Sequence, residues 1–393
     1  MKGLGVNLYP WDVAGDPAAA DRVAGLGADR ATLAAAYHTV RALSPRHPRR
    51  KVVTATHSAV YYRPDERRWA HGGPLLRPVE AAWAPGTFTE AAAALRGAGL
   101  AVYAWTILAH NQRLGTLHPE HAVVNAFGDP YAWALCINSP QVREYCGALA
   151  AEVAAQPDVD GVELESCGWY GFDHLHAHDK TGGVALDPAA KSLLNLCFCA
   201  ACQASYTDAG IDGLREAVRG ALEPVFAGQR PTPTVDTELL EAVSYFRIRA
   251  AATFQAEVVG AVRAARPDVP ILLHTAADPL AVGANPGSVP DGSFGAVLQC
   301  GGARSEAALE NLRGYGRAAR KAESDSAPGA RQPIAATVNI VAGMGCDREG
   351  LADWVGELRR AGAEEFRLYH AGLAGGADLE AVRALAAAAV QSG

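Results

Sequence analysis

Glu163 and Glu165 stand two residues apart in the run Gly161-Val162-Glu163-Leu164-Glu165. Side chains of an extended strand alternate between faces, so the two glutamates share one face and Val162 and Leu164 the other. Two carboxylates on a buried face are unfavourable unless they are paired, hydrogen-bonded or used. Like charges this close also push one pKa up, which leaves a proton donor beside an ionised partner and suits acid–base chemistry. The plainer reading of Glu163 is a structural ion pair with an inward arginine such as Arg367.

A second set of chemically able residues follows at once. Ser166-Cys167-Gly168-Trp169-Tyr170-Gly171-Phe172-Asp173-His174-Leu175-His176-Ala177-His178 places three histidines in alternation. They suit a metal such as zinc, or a polar wall with Trp169 and Tyr170 as stacking platforms, or merely a solvated loop. Spacing does not choose among the three. Cys197-Phe198-Cys199-Ala200-Ala201-Cys202 is sharper, because it offers three soft ligands within one turn or two of chain. With Cys167 or a nearby histidine as fourth ligand, it would make a closed structural zinc site that ties down a long insert. The alternative is three cysteines packed as small hydrophobes. A redox role lacks a thioredoxin-like context.

These residues need a frame. Apolar runs at residues 3–9, 30–37, 101–108, 161–165, 271–275, 295–299, 334–340 and 365–370 alternate with segments of helical period, among them 16–26, 88–98, 140–155, 237–265, 305–323, 348–361 and 378–389. That is the count and order of a closed α/β barrel, (β/α)8. A doubly wound open sheet is the rival, weakened because Tyr9-Pro10-Trp11-Asp12 stands where its Gly-rich turn belongs. We read residues 1–393 as one barrel domain with an insertion, 166–236, after the fourth strand. The insertion is expected to be irregular to about residue 210 and helical over 211–226.

Active sites of such barrels lie at the C-terminal ends of the strands, and Glu165 ends the fourth. The same rim gathers Asn7, Tyr9, Tyr37, His38, Trp105, His110, Asn111, His274, Gln299, Asn339, Tyr369 and His370, with Asp278 after the fifth strand. His57 and Tyr62 join from a segment after the second strand. Rings with amide, imidazole and hydroxyl groups suit a polyhydroxylated ring, with its apolar CH faces and polar edges.

Composition removes other classes. The 393 residues carry a net charge of −7, so there is no basic footprint for nucleic acid. No apolar run reaches the ~18 residues of a membrane span, and the N-terminus lacks a secretory pattern, which places the protein in the cytoplasm. The eight cysteines are scattered apart from the one cluster, unlike a disulfide scaffold. Walker A, GxSxG and HExxH motifs are absent, which demotes nucleotide, serine-esterase and zincin chemistry. The expected partner is a small molecule or oligosaccharide; a homo-oligomer is compatible with the composition.

Two stretches resemble the family-10-like glycosyl hydrolase barrels: Trp133-Ala134-Leu135-Cys136-Ile137-Asn138-Ser139-Pro140-Gln141-Val142-Arg143-Glu144-Tyr145, and Asp158-Val159-Asp160-Gly161-Val162-Glu163-Leu164-Glu165. The Cys-Phe-Cys-x-x-Cys run is similar to one those barrels carry after the fourth strand. The resemblance implies a sugar-processing barrel with Glu165, and with it Glu163, in the place of the catalytic acid, and a structural role for the cysteines. It also shows a departure. Strand seven reads Thr337-Val338-Asn339-Ile340, and Asn339 cannot serve as the nucleophile that retaining relatives keep there. The usual two-carboxylate scheme must then use Glu163 with Glu165, borrow Asp278, or not apply at all. The expected function is glycoside hydrolysis. Its rivals are a metal-dependent lyase, isomerase or hydrolase built on His174, His176 and His178 with Glu163 or Glu165, and a non-catalytic sugar-binding barrel.

Overall fold

The computed structural model describes residues 3–70, 72–174, 178–230, 232–324 and 332–391. Eight strands form its centre: β1 (Leu4–Leu8), β2 (Arg30–Tyr37), β3 (Ala101–Ile107), β4 (Gly161–Glu165), β5 (Ile271–Thr275), β6 (Gly295–Gln299), β7 (Ile334–Asn339) and β8 (Glu365–Tyr369). Each pairs in parallel with the next, and β8 closes on β1 through Leu4↔Phe366, Gly5↔Arg367 and Val6↔Leu368. This is a closed (β/α)8 barrel, with Thr87–Gly97, Pro140–Ala154, Thr237–Ala265, Glu306–Ser324, Leu351–Ala361 and Gly376–Gln391 among the helices between its strands.

The strand period sorts side chains as expected. Val162 and Leu164 are fully buried in the shell between barrel and helices, where the main apolar core lies. Inside, Tyr103, Leu272, Val297 and Ala335 form a small apolar floor. Above it the lining is polar: Asn7, Thr32, Glu163, His274, Thr337 and Arg367 are all buried. The register between β2 and β3 shifts between Ala34 and Ala36. Such a bulge changes which face the following residues occupy, and it brings the Tyr37 ring in among the inward aromatics.

The stretch after β4 differs from the expected irregular chain, because it holds helices Pro188–Leu194 and Ala200–Asp208 before Leu214–Phe226. The first is capped by Asp187, which accepts from Ala190 N at 2.7 Å, with Pro188 at the position where its missing N–H is harmless. The third starts later than residue 211 because Gly213 adopts a left-handed φ of 69°. Two hairpins also lay below the resolution of periodicity, Val40–Leu43 with Val52–Ala55 and Ala122–Val124 with Pro130–Leu135. Among the described residues no helix is long and apolar enough to cross a membrane.

Candidate active site

β3 and β4 run in register with Trp105 beside Glu163 and Ile107 beside Glu165. On the other side Leu272 of β5 pairs with Glu163, so His274 stands next to Glu165. The two glutamates then meet different company. Arg367 Nε donates to Glu163 Oε1, and both side chains are fully buried. Burial alone would raise the Glu163 pKa, but the Arg367 charge, with His274 beyond it, brings it down to about 2. Glu165 has no arginine. Trp105 Nε1 donates to its Oε2 at 2.7 Å, and His274 Nδ1 lies 3.6 Å from the same oxygen. Burial outweighs both contacts and raises its pKa, and Glu163 adds to the rise. One carboxyl is thus an anion held by a cation, and its neighbour is inclined to keep a proton.

Aromatic and phenolic groups surround Glu165. Tyr9 OH donates to Tyr37 OH at 3.2 Å, and Tyr37 meets Trp105 edge-on at 4.8 Å. Trp105 lies nearly parallel to His274, at 6° and 6.3 Å, and edge-on to Tyr369. Burial pushes the Tyr9, Tyr37 and Tyr369 phenols up, so they remain donors. A second wall stacks His38 on His110 at 4.4 Å and His110 on Tyr170, whose hydroxyl bonds to His110 Nδ1 at 2.9 Å. The His174 ring follows, 5.0 Å from Tyr170. His370 packs on Tyr9 at 4.2 Å, and burial lowers its pKa to about 3. Asn7 lies fully buried inside β1 with neither side-chain polar atom hydrogen-bonded to protein.

Other expected site residues are placed elsewhere. Tyr62 donates to Glu152 at 3.0 Å in a buried cluster with Trp69 Nε1. Asn111 caps the helix Gln112–Leu117 through Leu114 N. Trp169 is buried, with its Nε1 on the Arg247 carbonyl at 2.8 Å. Asn339 turns into its own loop, onto the Met344 carbonyl and Val341 N. His57 bonds to Thr56 beside an open groove with Gln112 and Thr116. Gln299 and Asp278 are exposed, and Asp278 Oδ1 accepts from Leu280 N at 2.9 Å in its own turn. His176 lies outside the described residues.

The cysteine run folds as a cluster, but its fourth member is Cys136 rather than Cys167. Cys136 Sγ lies 3.7 Å from Cys197 Sγ and 3.5 Å from those of Cys199 and Cys202. Cys136 follows the hairpin strand Pro130–Leu135, which delivers it from more than sixty residues away. Cys167 is buried at the root of the insertion, where its carbonyl accepts from Gln255. A tetrahedral tetrathiolate with Zn–S of about 2.3 Å has S···S edges of about 3.8 Å, so the four thiols have the right kind and nearly the right spacing for zinc. Among the described residues this is the one cluster of His, Cys, Asp or Glu able to hold an ion.

The chain matches no protein-family profile, and no curated protein sequence matches it. Solved structures do. The glycoside hydrolase domain of PgaB from Bordetella bronchiseptica aligns with a TM-score of 0.58 at 17% identity, over 98% of each chain. Alpha-L-fucosidase isoenzyme 2 from Paenibacillus thiaminolyticus gives 0.58 at 13% identity, over 99% of this chain and 49% of that one. Beta-galactosidase from Bacillus circulans sp. alkalophilus gives 0.55 at 12%, over 100% and 56%. The chain spans about half the length of the latter two. At these identities the likeness is one of fold: the chain is built on the barrel that these glycoside hydrolases share.

Proposed function

We propose that this barrel cleaves a glycosidic bond, with Glu165 as general acid and base. The observation that carries the reading is a carboxyl at the end of β4 that burial inclines to hold its proton, anchored by an indole N–H and ringed by rings and neutral phenols. An oxocarbenium-like transition state needs such a donor at the leaving oxygen. Glu163 is closed off by Arg367, and Asn339 is spent on its own loop. Asp278 is exposed on the loop beyond β5 and bonded within its own turn, so no partner carboxylate is assigned and the reading rests on Glu165. Tyr9, Tyr37, Tyr369 and the His110–Tyr170 wall would grip sugar hydroxyls and ring faces.

The test is turnover of a panel of aryl glycosides and oligosaccharides. Glu165→Gln should lower it by about 10²–10⁴-fold with an unchanged melting curve. Full activity in Glu165→Gln sinks the assignment. Binding of oligosaccharide without release of product from any substrate would make the chain a sugar-binding barrel instead.

We also propose that Cys136, Cys197, Cys199 and Cys202 hold a structural zinc that fastens the insertion to the hairpin Ala122–Val124/Pro130–Leu135. Elemental analysis should find one zinc per chain in wild type and Cys167→Ser, and none in Cys136→Ser, whose melting temperature should fall. Metal retained by Cys136→Ser, or lost with Cys167, contradicts this ligand set.

A further inference from the structure

A row of alternating charges crosses the barrel interior and ends at Glu165. Arg30 Nη1 lies 2.8 Å from Glu365 Oε2, and Arg367 Nη2 reaches the same oxygen at 2.9 Å. Arg367 Nε continues the row to Glu163 Oε1. His274 then stands between the two glutamates, its Nε2 3.7 Å from Glu163 Oε2 and its Nδ1 3.6 Å from Glu165 Oε2. Neither Glu163 Oε2 nor His274 Nε2 has a hydrogen-bond partner, so this contact is the nearest polar one each makes. Four strands, β2, β8, β4 and β5, thus contribute to one continuous line, and of these β4 and β5 are neighbours.

Formal charge along that line is informative. Arg30 and Arg367 cancel Glu365 and Glu163, and the more exposed Asp29, which also pairs with Arg30 at 3.2 Å, lies at the solvent end of the row. What remains is Glu165 with His274, and that pair is neutral only when it holds one proton. The proton can sit on the imidazole with Glu165 ionised, or on Glu165 with the imidazole neutral. Taking it away leaves an uncompensated carboxylate in the interior, and adding a second leaves an uncompensated cation; low dielectric disfavours both. The other groups that face the pair add no charge. Trp105 from β3 donates to Glu165. Tyr37 from β2, Tyr170 after β4 and Tyr369 from β8 face Glu165 as phenols held neutral by burial. Val297, opposite His274 on β6, is apolar, and Asp278 is out in solvent.

We infer that Glu165 and His274 share a single proton and titrate as one unit, with Glu163 holding the imidazole through Nε2. His274 and Glu163 are then positioning residues for the chemistry at Glu165. This deepens the glycosidase reading and rests on it for the kinetic consequence alone. A proton that can occupy either of two sites leaves at higher pH than it would leave the same carboxyl alone. Replacing His274 by Gln, which cannot carry the proton, should therefore move the alkaline limb of kcat/KM to lower pH. Removing the Glu163 charge should move it the same way.

The deciding experiment is NMR of wild-type protein labelled with ¹⁵N-histidine and ¹³Cδ-glutamate, with His274→Gln and Glu165→Gln spectra to identify the two signals. The His274 ring nitrogens and the Glu165 carboxyl should shift together, in one step with one midpoint. In Glu163→Gln that midpoint should fall. Two separate midpoints, or a histidine that titrates while Glu165 stays still, overturn the inference. If Glu163→Gln does not fold, the wild-type spectra alone decide. Should turnover prove absent while the joint step is seen, the glycosidase reading fails and the shared proton stands. Should turnover depend on Glu165 while the two nuclei titrate apart, the reverse holds.

Discussion

Glu163 and Glu165 differ by one residue of separation and by almost everything else. Both leave the same strand on the same face, both are desolvated, and burial pushes both toward the neutral acid. A guanidinium against Glu163 reverses that push, while an indole N–H and an imidazole against Glu165 only moderate it. The teaching is that depth does not set a carboxyl's protonation; the charge of its nearest partner does. The sharpest way to break the comparison is to remove that partner. Arg367→Met keeps much of the volume and should destabilise the fold by ~3–5 kcal/mol, because it strands a buried anion. Urea unfolding would read this. A loss below ~1 kcal/mol would mean that Glu163 is stabilised by something other than the arginine.

The pH dependence of stability sharpens the same contrast. Glu163 has a folded pKa lowered from 4.5 to about 2. Its contribution is present above the unfolded value and is lost as pH falls from about 4.5 toward about 2. Glu165 runs the other way. Its folded pKa is raised, so its contribution is present below the unfolded value and drains away as pH rises through the raised one. Urea midpoints against pH should show Glu163→Gln losing the acid-side slope and Glu165→Gln losing the slope on the side above 4.5. Both variants altering the same limb would dissolve the distinction. Near neutral pH, Glu165→Gln should change stability by no more than about 1 kcal/mol, since it removes a group whose ionisation the fold resists.

What could be read in advance follows the same line between local and long-range information. Strand period alone put Glu163 and Glu165 inside and Val162 and Leu164 outside. The alternation of runs was enough to count eight strands. The ion pair with Arg367 was legible as well, because an inward arginine on the last strand needs an anion. Residues whose role depends on a turn were not. Asn339 and Asn111 stand at strand ends like ligands, yet each is absorbed by its own loop or helix cap, as short amide side chains commonly are. Tyr62 looked like rim and serves Glu152. Cys136 stands in the run 133–145, but its partners lie past the whole of α-helix Pro140–Ala154 and β4. Only the hairpin that periodicity missed brings it to them. Cys167, nearer in sequence, is instead buried at the root of the insertion, its carbonyl accepting from Gln255.

The smallest effect concerns Trp105, whose indole touches Glu165 and not the Arg367 pair. Its Nε1 bond favours the ionised carboxyl, so Trp105→Phe should raise the proton affinity of Glu165 while leaving Glu163 unchanged. The alkaline limb of kcat/KM should move to higher pH, opposite in sign to the shift expected for His274→Gln. The expected size is that of one charge-assisted hydrogen bond, ~1.5–3 kcal/mol at most and less where water enters the gap. Ring contact with His274 and Tyr37 survives in phenylalanine, which separates the donor from the platform. A limb that moves down instead would mean that the indole acts on Glu165 by orienting His274. The neighbouring carboxyl's partner would then be one residue further away than the contact suggests.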